Sequence, residues 1–142
     1  MKTIKKMTLL ILAVITVQFA NAQKGDWKEM HSFHSVMSKT FHPAEEGNIQ
    51  PVKDNAKELV TKAKEWQASV VPAGYKKAET DETLKNLVAK CEEMLVAVNQ
   101  KVDDAHLTKL IGEAHDVFHM IMEKCKKGDH GHDHKEGDGH KH

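Results

Sequence analysis

The sequence predicts an all-α fold, an antiparallel up-down-up-down four-helix bundle with a histidine-rich C-terminal tail. Three observations carry this. Apolar residues recur at spacings of three and four from Trp27 to Cys125, the period of amphipathic helices. No strand-like alternation of apolar and polar residues interrupts that pattern. Aromatic residues make up only 5% of the chain, low for a sheet protein and ordinary for a small helical one.

The segments follow in order. The first carries Trp27, Met30, His34, Met37 and Phe41, and Gly47 with Pro51 marks the break after it. Pro51 suits the first turn of the second helix, whose stripe is Val52, Ala56, Leu59, Val60, Ala63, Trp66 and Val70. The longest connector, VVPAGYKKAETDE, contains Thr80 and Thr83, which offer helix-start chemistry. The third stripe is Leu84, Leu87, Val88, Cys91, Leu95, Val98 and Val102. Asp103-Asp104 opens the turn into the fourth, with Leu107, Leu110, Ile111, Ala114, Phe118, Ile121, Met122 and Cys125. Four helices with short links pack as a bundle near 20° around a heptad-like core.

The ends differ from this middle. Lys2, Lys5 and Lys6 precede a short apolar run over residues 7–17, and Ala20-Asn21-Ala22 supplies small residues for cleavage. This is the layout of a secretory signal peptide spanning 1–22, and it predicts an exported, periplasmic protein with no membrane anchor. The bundle domain is then 23–126, and residues 127–142 form a tail without a large apolar side chain, expected to be disordered. That tail holds His130, His132, His134, His140 and His142, a composition that binds divalent metals through neutral imidazole. Without the leader the chain has 18 Lys, no Arg and 21 acidic residues, a formal charge of −3. Such a chain lacks the basic footprint of nucleic-acid binding.

Cys91 and Cys125 both fall on core stripes. Measured from the turn at Asp103-Asp104, they stand about 13 Å out of register on an antiparallel pair, whereas a disulfide needs Cα atoms within about 7 Å. Two buried free thiols are favoured over a bridge.

The candidate site is written in histidines. His31 and His34 are spaced i,i+3 on the first helix, and His115 and His119 i,i+4 on the fourth. In an antiparallel pair the two couples come to similar height. Four converging imidazoles could hold a transition metal of the Zn, Cu or Ni class. Met37 is the thioether candidate, Gly112 could make room for a bulky group, and His42 stands apart beside Pro43, Glu45 and Glu46. Neither the Glu-x-x-His pairs of di-iron bundles nor an HExxH motif occurs, so binding, buffering or sensing is expected rather than catalysis.

PVKDNAKELVTKAKEWQAS, the proline-bearing connector after it and EAHDVFHMIMEKC carry a resemblance to the soluble periplasmic cytochrome b562 family, and more distantly to the cytochromes c′. It covers residues 27–125. The resemblance implies a non-covalent haem b electron carrier with His119 as axial ligand and Met30, Met37 or His34 as the second. The CxxCH motif of covalent attachment is absent. A structural or partner-binding module with incidental histidines is the third possibility.

Overall fold

The structure, a computed structural model, describes residues 26–128. The leader expected at 1–22 and the histidines of the tail lie outside the described residues. Four helices follow one another: α1 (Lys28–Glu45), α2 (Gln50–Ala68), α3 (Lys77–Asn99) and α4 (Asp104–Lys124). Each packs on the next, and α4 returns to α1, closing the bundle. No strand occurs among the described residues; a single isolated bridge joins Tyr75 to Lys126.

The apolar period creates the core, but the buried line on α1 is not the one the spacing suggested. Two overlapping lines share Met30 and Met37. One continues through His34 and Phe41, the other through Phe33, Thr40 and Ala44, and the second is buried. Phe33 and Met37 are wholly inaccessible, whereas His34 is exposed. A phenyl ring gains about 2–3 kcal/mol on leaving water, which a histidine cannot match, so the helix turns Phe33 inward. The same slip moves the α3 line onto Met94 and Ala97, leaving Leu95 and Val98 half-buried. On α2 the line ends at Trp66; Val70, beyond the helix, is 88% exposed.

Chain punctuation follows from local chemistry. Gly47, at φ +87°, closes α1: its N–H donates to the Ala44 carbonyl and that of Asn48 to the Pro43 carbonyl. Pro43 itself lies inside the last turn of α1, where its missing N–H removes one helical bond. Pro51 occupies the first turn of α2, as expected. Asp103 caps α4, its carboxylate accepting from the His106 N–H at 2.9 Å. Thr80 and Thr83 do not start α3. They sit within it and donate back to the Lys76 and Glu79 carbonyls, both at 2.7 Å.

Lys101 ends α3 at φ +55°, with the Lys101 N–H on the Val98 carbonyl and the Val102 N–H on the Ala97 carbonyl. This is the six-to-one and five-to-two closure that glycine normally supplies. A left-handed lysine carries a Cβ penalty of roughly 1–2 kcal/mol. Lys101→Gly will therefore stabilise the bundle by about 0.5–1 kcal/mol, after the greater freedom of glycine in the unfolded chain is subtracted. A urea midpoint that falls instead would contradict this reading of the turn.

Both cysteines are buried free thiols. Burial pushes the Cys91 thiol up to about 12, so it stays protonated and inert. Cys125 lies 3.6 Å from the Thr83 hydroxyl, and its carbonyl accepts from Lys76 N–H. Lys127 N–H donates to the Gly74 carbonyl at 2.9 Å, tying the chain beyond α4 to the α2–α3 connector. Trp27 Nε1 donates to Ser69 Oγ at 2.7 Å and fastens the start of α1 to the end of α2.

Candidate metal centre

An imidazole and phenyl strip runs along the α1/α4 edge. On α4, His115 is half-buried and lies flat on Phe41 of α1, ring centroids 3.7 Å apart and planes 11° from parallel. One turn later His119 turns its edge toward His115, with the two Nε2 atoms 3.2 Å apart. From α1, the exposed His34 stacks on Phe118 at 5.0 Å with an interplanar angle of 2°. Phe118 also meets the ring of His119, at 5.5 Å. His34 and His119 thus share one aromatic neighbour.

The His115–His119 couple has the dimensions of a chelate. Residues four apart in a helix stand one above the other. With metal–nitrogen bonds of about 2.0–2.1 Å, a 3.2 Å bite subtends roughly 100–106°, close to the tetrahedral angle. The electrostatics favour the ligating form. Burial, and then the charge of His119 and more weakly of His42, hold the His115 imidazole below its ordinary pKa, opposed by Asp116 and Glu45. His115 therefore presents a neutral ring with a lone pair near neutral pH. The Glu123 carboxylate lies 3.7 Å from His119 Nδ1. The 3.2 Å Nε2–Nε2 contact is a hydrogen-bond distance, so without a metal one of the two Nε2 atoms carries the shared proton, which a bound metal would displace.

The same placement fixes a pH dependence. A histidine with a folded pKa below its unfolded value of about 6.5 binds fewer protons when folded, so stability rises with pH across that window. Acidification from about 6.5 down through the folded value of His115 will weaken the metal-free bundle. Thermal melts of wild type and His115→Gln between pH 7.5 and 5 check this: the variant loses less stability over the range.

The other candidates are placed elsewhere. His31 is exposed, pairs with Asp26 at 3.3 Å, and lines a shallow groove with Glu58 and Lys62 of α2. It therefore faces α2, whereas His34 faces α4. Residues three apart differ by about 60° around a helix, enough to fall beside different neighbours in a four-helix bundle. Met37 is wholly buried in the core, and Met30 nearly so, its sulfur 3.9 Å from the Tyr75 hydroxyl. His106 is exposed. His42 sits 3.4 Å from Glu45 and is less isolated than its sequence neighbours suggested, because both bear electrostatically on His115. Among the described residues no group of three or more His, Cys, Asp or Glu side chains converges as a metal cage. The couple on α4 brings together two imidazole nitrogens and no more.

A methionine-ligated haem b finds no accessible thioether here. Axial ligation would need His119 opposite Met30, Met37 or His34 across an open cleft. Instead His119 is exposed and both methionines are locked in the core. Phe33, Trp66 and Phe118 fill the interior beside them, with centroids 5.5–6.0 Å apart. Gly112 has nothing within 4 Å of where a Cβ would stand, so no neighbouring side chain demands a glycine there. Gly112→Ala will stabilise α4 by about 1 kcal/mol, read as a higher denaturant midpoint. A lower midpoint would show that this backbone needs its glycine.

Two features were hidden from the sequence. Phe41 is a stacking platform for His115, and Phe118 serves two histidines at once. The i,i+4 relation of His115 to His119 was visible; the cross-helix partners were not.

The fold and this edge define an all-α four-helix bundle with two imidazoles of α4, His115 and His119, held edge to face at its α1/α4 edge. No protein family, curated protein or solved structure matches the chain.

Proposed function

We propose that this protein binds a divalent transition metal of the Zn, Cu or Ni class on the α1/α4 edge, with His115 and His119 as the primary ligands. The single observation that carries this reading is the 3.2 Å approach of their Nε2 atoms, which matches a chelate bite. His34 is the α1 imidazole that shares a ring neighbour with the pair. His31 lies on the α2 side and is no longer among the proposed ligands. The buried thioethers of Met30 and Met37 make imidazole the ligand type here, which suits Zn(II), Ni(II) or Cu(II) better than Cu(I). Binding, buffering or sensing is the reading, since neither a Glu-x-x-His pair nor an HExxH motif occurs in the sequence. The leader-like N-terminus supports export, so that the metal would be met outside the cytoplasm.

The test uses the chain with its five tail histidines replaced by asparagine, titrated with Zn(II) against a chromophoric chelator. One equivalent of competing sites, removed by His115→Ala, supports the reading. Failure to compete, or binding indifferent to that substitution, overturns it in favour of a structural module. A Soret band on haemin addition, lost in His119→Ala, would replace it with the haem carrier.

A further inference from the structure

A tetrahedral divalent ion takes four donors. The His115–His119 couple offers two, and among the described residues no third His, Cys, Asp or Glu converges on it. We propose that a second copy of this chain supplies the other two, so that His115 and His119 of both copies share one ion on a two-fold axis. This rests on the reading of the pair as a metal site and adds the partner that completes it.

The face around the pair suits a crossing of two α4 helices. At about 100° per residue, Gly112, His115, His119 and Met122 fall within roughly 80° of one another around α4. Lys109, Glu113 and Asp116 fall outside that arc, so the strip carries no fixed charge to repel a second copy of itself. It is also reachable: His119 is exposed, and Gly112, His115 and Met122 are half-buried rather than enclosed.

Symmetry sets the register. A two-fold contact is self-complementary, so that if one residue meets a second across it, the second also meets the first. Antiparallel α4 helices centred between His115 and His119 bring each His115 beside the partner's His119, gathering four imidazoles at one point. Gly112 precedes His115 by three residues and Met122 follows His119 by three. The same axis therefore sets Met122 of each copy over Gly112 of the other. Glycine is the poorest helix former after proline, and within this chain nothing lies within 4 Å of where a Gly112 Cβ would stand. The crossing gives that glycine a use, because bare backbone leaves room for the opposing side chain. At low concentration each chain holds its own ion, one per copy. At higher concentration two chains share one, and the stoichiometry falls to a half.

The experiment uses full-length chains with the five tail histidines changed to asparagine, so that only bundle ligands remain. Circular dichroism confirms that each is folded. Sedimentation velocity follows the mass as Zn(II) is added from zero to one equivalent, and Co(II) replaces Zn(II) to read the visible absorption of a four-coordinate site. The expected result is a monomer without metal and a dimer that peaks at one ion per two chains. His119→Ala abolishes the dimer. Gly112→Gln keeps both imidazoles but fills the crossing, and weakens dimerisation roughly 10-fold or more. A chain that stays monomeric while binding one ion, with binding lost in His115→Ala, overturns the inference and leaves the proposed site standing. A dimer indifferent to His119→Ala or to Gly112→Gln also overturns it. No Zn(II) binding at all overturns both.

Discussion

His119→Ala will weaken Zn(II) or Cu(II) binding at the bundle by roughly 100-fold, because removing one arm of a preformed pair forfeits the effective concentration of the other. The substitution is well suited to separating chemistry from folding. His119 is exposed, touches the core only through the edge of Phe118, and lies one turn from the half-buried His115. Alanine is also the better helix former, so stability should hold or rise slightly. His115→Ala gives a mixed result, since it also strips the ring stacked at 3.7 Å on Phe41. The pair of variants is read in the tail-asparagine background, where only bundle ligands remain. Equal loss of affinity in both, with loss of stability confined to His115→Ala, is the expected pattern. Undiminished affinity in His119→Ala would remove the chelate from the account. His31→Ala, on the α2 side, should leave affinity unchanged.

Trp66→Ala will destabilise the bundle by about 3–5 kcal/mol, the range for deleting a large buried aromatic side chain. Trp66 is inaccessible and contacts the rings of Trp27, Phe33 and Phe118 at 5.4, 5.5 and 5.9 Å. It also carries a buried indole N–H with no hydrogen-bond partner. Such an orphaned donor costs roughly 1–3 kcal/mol, so Trp66→Phe, which removes the donor and leaves a smaller void, should stay within about 1–2 kcal/mol of wild type. Urea unfolding of the two variants measures the contrast. Because Phe118 packs between Trp66 and the histidines, Trp66→Ala should also loosen the metal site, while Trp66→Phe should preserve it. Equal destabilisation by both substitutions would mean that the indole N–H is not an unmet cost.

The helices and their links could be read from the sequence because their signals are local. A 3.6-residue period, Gly47 at the end of α1, Pro51 at the start of α2 and Asp103 before α4 each act within one or two turns. The register of Cys91 against Cys125 was also accessible, since antiparallel helices joined by a short turn convert sequence distance into height. What could not be read was rotation. Met30 and Met37 belong equally to the line through His34 and the line through Phe33, and only burial of the larger apolar ring decides between them. That choice moves His34 to the α4 edge and His31 to the α2 side. The pairing of His115 with His119 needed only helical spacing, and it is the part of the site that the structure brings together. Phe41 under His115, and Phe118 between His34 and His119, are contacts across helices and leave no periodic trace.

Whether His115 and His119 are the metal ligands is decided by a histidine-ring nitrogen NMR titration of the full chain with Zn(II). The expected result is that the Nε2 resonances of His115 and His119 shift together and saturate by one equivalent, with His31 and His106 unmoved. Saturation of tail resonances at one equivalent, while His115 and His119 keep their metal-free positions, would contradict it.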